Sequence, residues 1–182
     1  SGAMIWVQNV ETGERRKLLQ EKGTASAPAW SPDGRRLALR LSRDGNHDIY
    51  IFDVAASRLT RLTKHPGIDT EPAWSPNGRH LVFTSDRSGR PHIFRISAAG
   101  GPAQRLTKEG RENAGASYDP NGKHLVMVTN QGNGDQIGVF YTGNNELKLL
   151  TDGPLDDSPT YSPNGAMIMY ATQRGNQGVL AA

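Results

Sequence analysis

The sequence predicts an all-β propeller of four-stranded antiparallel blades, and three observations carry that prediction. One phrase recurs four times: Trp30-Ser31-Pro32-Asp33-Gly34, Trp74-Ser75-Pro76-Asn77-Gly78, Tyr118-Asp119-Pro120-Asn121-Gly122 and Tyr161-Ser162-Pro163-Asn164-Gly165, with the glycines 44, 44 and 43 residues apart. A period of about 40–45 residues with turn residues at a fixed offset is the mark of a propeller blade. Each phrase also ends in Asp-Gly or Asn-Gly between apolar runs, the strongest short-range signal for a hairpin. The third observation is period-two alternation, as in Asp48-Ile49-Tyr50-Ile51-Phe52-Asp53, which suits a strand and not a helix.

Taken in order, each period reads as four strands. The first covers residues 27–31, 72–75, 116–119 and 159–162 and runs into the Pro-Asp/Asn-Gly turn. The second follows at once, at 37–41, 81–84, 125–129 and 167–171. A polar, Gly-bearing link then leads to the alternating third strand, at 48–53, 93–96 and 137–141. The fourth is short, at 59–63, 104–107 and 147–151. One period earlier, Ile5, Trp6 and Val7 align with Ile49, Tyr50 and Ile51, so residues 4–19 read as a third and fourth strand. At the other end Leu180 aligns with Ile137, so the chain is expected to stop on entering a further third strand. That phase gives four blades' worth of strands, with one mixed blade in which residues 4–10 pair beside 167–171. Closure of that kind removes sheet edges that invite aggregation; the same half-blades also permit self-association by strand exchange.

Residues 1–3 read as a tag-cleavage scar and 4–182 as a single domain. No run approaches the roughly 18 apolar residues of a membrane helix, so no membrane insertion is expected. The absence of cysteine excludes disulfides, thiol nucleophiles and thiolate metal sites. The net charge is +3, and its basic residues are dispersed, without the clustering beside aromatics that nucleic-acid binding requires. There is no Gly-x-Ser-x-Gly elbow and no Walker-type phosphate loop, and the five histidines fall in no ligand spacing, so the chain reads as a non-enzyme.

The aromatic heads of the phrase (Trp30, Trp74, Tyr118, Tyr161) suit packing between blades better than a ligand-stacking ring. The candidate site is instead the set of loops leading into the first strands, at 23–26, 67–71, 111–114 and 155–158, because first strands line the channel and these loops ring one mouth. They carry Asp69, Thr70, Glu71, Glu112, Asn113, Asp156 and Asp157, with Ala27 following the first loop. Five carboxylates there could hold a hard cation such as calcium, although no loop shows a dedicated calcium spacing and no cofactor is otherwise expected. Acidic loops are also ordinary solvated connections.

The runs Ala73-Trp74-Ser75-Pro76-Asn77-Gly78-Arg79-His80-Leu81-Val82-Phe83-Thr84-Ser85-Asp86-Arg87-Ser88-Gly89-Arg90-Pro91 and Gly100-Gly101-Pro102-Ala103-Gln104-Arg105-Leu106-Thr107 resemble the propellers of the TolB family of the Tol–Pal system. The resemblance implies a periplasmic, non-catalytic scaffold whose channel mouth binds Pal, the peptidoglycan-associated lipoprotein, through Ala27, Thr70, Glu71 and their neighbours. It also implies a six-bladed ring and an N-terminal domain with a TolA-binding segment; this sequence carries four blades of strands and no such segment. Two other readings remain: an excised or engineered four-blade propeller without its native partner, and the gating propeller of a serine oligopeptidase.

Overall fold

The computed structural model describes residues 2–174 and 177–181. Those residues form seventeen strands and no helix. A hairpin of β1 (Gly2–Gln8) and β2 (Arg15–Lys22) opens the chain, and Gly2 and Ala3 are already paired, with Lys22 and Glu21. Three complete blades follow. The first is β3 (Ala25–Trp30), β4 (Arg36–Leu41), β5 (Asp48–Asp53) and β6 (Arg58–Arg61). The second is β7 (Asp69–Trp74), β8 (His80–Ser85), β9 (His92–Ser97) and β10 (Gln104–Arg105). The third is β11 (Glu112–Tyr118), β12 (His124–Asn130), β13 (Asp135–Tyr141) and β14 (Glu146–Leu149). A last blade contains β15 (Asp157–Tyr161), β16 (Ile168–Arg174) and β17 (Gln177–Ala181). Every sheet is an antiparallel meander, hydrogen-bonded in chain order.

The recurring phrase builds the turn between first and second strands. Ser31 Oγ donates to Asp33 Oδ1 at 2.6 Å and accepts from Arg36 N at 2.9 Å. Ser75 with Asn77 and Ser162 with Asn164 repeat that arrangement, at 2.8 Å and 2.7 Å. Asp119 replaces the serine in the third blade, its Oδ1 accepting from Lys123 N and His124 N. The hydroxyl or carboxylate thus satisfies the backbone donors that a tight turn leaves free.

The core lies between blades. Ala38 and Ile51 of the first blade cluster with Trp74, Leu81, Phe83, Phe94 and Ile96 of the second. Val82 and Ile93 of the second cluster with Ala116, Leu125, Met127 and Phe140 of the third. First strands of adjacent blades touch one another (β3 with β7, β7 with β11, β11 with β15), which places them at the narrow inner edge.

Two expectations require correction. Among the described residues the last blade has a third strand of its own, where the chain was expected to stop on entering one: Arg174 pairs with Gln177, so pairing resumes sooner after the second strand than in the other blades. Consequently the mixed N- and C-terminal blade does not form. The edge of β16 expected to receive residues 4–10 is held by β17, with Ala171 opposite Leu180, and β1 pairs with β2.

Candidate functional site at the channel mouth

Each first strand breaks register at the same repeat position, between Ser26 and Ala29, Thr70 and Ala73, Ala114 and Ser117, and Asp157 and Thr160. At the break Ala27, Glu71, Gly115 and Ser158 adopt left-handed backbone, with φ of 51°, 54°, 62° and 53°. Three of them carry a Cβ in a conformation that L-residues seldom adopt, so the strand's pairing on both sides must hold it there. The bulge corrects the sequence reading of the site: Asp69, Thr70, Glu71, Glu112, Asn113 and Asp157 belong to strands that begin before the break, not to loops.

The structure brings half of the candidate residues together. Glu71, Glu112, Asn113 and Asp157 line a cleft of about 220 Å³ between the second, third and last blades. Asn130 and Asp135 line it too, although sequence reasoning passed them over. Their signal was the Gly-rich link they bracket, where Asn130 Nδ2 donates to Asp135 Oδ1 at 2.9 Å. Glu112 faces Arg90 at 3.3 Å. Glu71 is engaged within the protein: its Oε2 accepts from the Thr84 hydroxyl at 2.7 Å and from Gly115 N at 3.0 Å, joining the second blade to the third.

The other candidates lie elsewhere. Asp69 is fully buried and meets the Arg87 guanidinium through both oxygens, at 2.9 Å and 2.7 Å. Thr70 sits opposite Thr84 across the ladder, and Ala27 occupies the bulge one blade earlier. Asp156 is buried, and neither carboxylate oxygen has a hydrogen-bond partner among the described residues. Among those residues no three His, Asp or Glu side chains converge in a way that would hold a metal ion.

Asn113, itself buried, is tied behind the cleft to His92. Its Nδ2 donates to Glu109 O at 2.8 Å and lies 3.1 Å from His92 Nδ1, while Thr107 Oγ1 stands 3.2 Å from the same nitrogen. With Asn113 donating, the network assigns the imidazole proton to Nε2. Burial, reinforced by Arg105, lowers the His92 pKa against an opposing pull from Glu112.

The aromatic heads pack between blades as expected of core residues. Trp74 donates from Nε1 to Ala29 O at 3.0 Å beneath the Arg36 guanidinium, and burial pushes the Tyr161 hydroxyl up to about 12. Trp30 is the exception at 48% exposed, against 8% for Trp74.

Comparison with known proteins agrees with this architecture. The TolB beta propeller domain family matches residues 1–182. A TolB structure from Acinetobacter baumannii superposes with a TM-score of 0.88 at 37% identity, covering 97% of this chain and 45% of that one. The Tol-Pal system protein TolB of Ruthia magnifica is 48% identical over 46 residues, 25% of this chain and 11% of the relative. An oligogalacturonate lyase structure (TM-score 0.76, 18% identity) and a puromycin hydrolase structure (0.74, 19%) share the fold alone. This chain therefore covers less than half of the Acinetobacter baumannii TolB chain and less than two thirds of a putative TolB from Agrobacterium tumefaciens. Its repeat, its inter-blade core and the match over its whole length show that the chain belongs to the TolB beta-propeller domain family.

Proposed function

We propose that this chain is a non-catalytic scaffold of the periplasm whose channel mouth binds a Pal-like lipoprotein of the Tol–Pal system. The observation that carries the reading is the gathering of Glu71, Glu112, Asn113 and Asp157 around one cleft where three inner strands begin. These residues come from three blades, so the surface exists only in the assembled fold. A cleft lined by four carboxylates, Asp135 included, favours basic and hydrogen-bond-donating groups on the partner. A stable protein interface buries upwards of ~1,000 Å², so binding weaker than that of a whole TolB ring is expected from four blades of strands.

Calorimetry with the soluble domain of a Pal-like lipoprotein tests the proposal. Glu112→Lys and Asp157→Lys should each weaken binding by about tenfold, ~1.4 kcal/mol. Glu71→Lys should act differently, lowering thermal stability as well, because its carboxylate holds the Gly115 amide. No binding by the wild-type chain, or binding that ignores both surface reversals, overturns the reading.

A further inference from the structure

The repeat permits a comparison of neighbouring blade junctions, and they differ at one informative place. Between the second and third blades, the left-handed residue of the earlier strand contributes a carboxylate, Glu71, which sits between the Thr84 hydroxyl and the amide of the next left-handed residue, Gly115. Gly115 N also lies 3.0 Å from Thr84 Oγ1, so the three groups converge. One blade earlier the same positions hold Ala27, Arg40 and the Glu71 amide. The correspondence is fixed by register: Ser26 pairs with Arg40 as Thr70 pairs with Thr84. The donors are thus retained at the earlier junction, and one of them is now cationic, but the carboxylate is missing because Ala27 has no side chain to supply it.

Arg40 is left accordingly. Its Nε is buried and has no hydrogen-bond partner among the described residues. The side chain belongs to the face of β4 that looks toward the second blade: Arg36 lies over the Trp74 ring at 4.6 Å, and Ala38 shares a cluster with Trp74. A buried guanidinium N–H without an acceptor is costly, and a carboxylate is its best geometric match. We propose that Arg40 and the Glu71 amide form a receptor for a carboxylate side chain, Asp or Glu, presented by the protein that docks on the channel mouth. The proposal rests on the scaffold reading above and names one chemical group that the partner must carry. Glu71 shows within the same molecule how such a group is seated.

The test uses the full chain and two variants. Ala27→Glu places an internal carboxylate in the receptor, and Glu71 already shows that glutamate tolerates this backbone (φ 54° against 51° at Ala27). It should raise the melting temperature and weaken binding of the soluble Pal-like domain by about tenfold, the loss of one charge-assisted contact. Arg40→Met keeps the stem, removes the guanidinium, and should weaken binding equally without lowering the melting temperature. An independent readout needs no partner protein. In nuclear magnetic resonance, N-acetylglutamate N-methylamide should saturably shift the Arg40 Nε–H and Glu71 N–H signals in the wild type and leave those of Ala27→Glu unmoved. Shifts without binding of the Pal-like domain would uphold the receptor and overturn the scaffold reading. Equal binding by wild type and Arg40→Met, or unshifted Arg40 and Glu71 signals, would overturn the receptor.

Discussion

His92 shows how one buried ring ties the site to solution conditions. Its Nδ1 is an acceptor for Asn113, and Asn113 lines the cleft, so protonation removes a bond directly behind the mouth. The lowered pKa means that the unfolded chain, with a histidine near 6.5, takes up the proton more readily than the folded one. Stability from this site is therefore complete above about pH 6.5 and is lost as the pH falls from there toward the lower folded value. Melting temperature followed from about pH 8 to about pH 5 should decline more steeply for the wild type than for His92→Gln; parallel profiles would show that the ring titrates freely. None of this was legible in the sequence. His92 falls in no ligand spacing, and its partners Thr107 and Asn113 stand 15 and 21 positions away, the first brought near by strand pairing within the blade and the second by the blade junction.

At the scale of strands and blades, the aromatic at the head of each phrase is a wedge whose value depends on what precedes it. Trp74 has the first blade beneath it, with Ala29 O accepting its indole N–H, whereas Trp30 has only the β1–β2 hairpin before its blade and stays half exposed. Trp74→Ala should cost about 3–5 kcal/mol, as large-to-small changes in a packed core do, and Trp30→Ala about 1 kcal/mol or less. Urea unfolding of the two variants measures the contrast, and equal costs would mean that the inter-blade wedge contributes little. The hairpins were readable because Asp-Gly and Asn-Gly announce them locally. The bulges were not, because Pro28, Pro72 and Pro159 follow the left-handed residue and suggest that the strand starts there. That misreading, with a matching start at Ala116 carried over to the third blade by the repeat, placed six site residues in loops. The mixed blade failed for a related reason: Leu180 lies inside its strand, which begins at Gln177, and β17 itself takes the edge reserved for the N-terminus.

Across the whole molecule the inter-blade faces repeat, and among the described residues the face of the last blade is not covered by a further one. Met169 stands where Ala38, Val82 and Val126 stand; those three are covered by the following blade, and Met169 is 50% exposed beside an exposed Met167. Apolar faces of this kind promote association. Light scattering on the 182-residue chain should give a mass that rises with concentration above 19.8 kDa, and Met169→Lys should restore the monomer value. A constant monomer mass for the wild type would show that this face is stable in water. The bulged inner strands have a different consequence. The turn phrase barely varies from blade to blade, yet the left-handed position carries alanine, glutamate, glycine and serine in succession. Because the chain leaves its ladder for that step and then rejoins it, the residue exchanged there alters the rim without shifting the hairpin that follows. The fold thus separates heritable change at the mouth from the integrity of the wall, and neighbouring blades can diverge in what they recognise while remaining interchangeable as architecture.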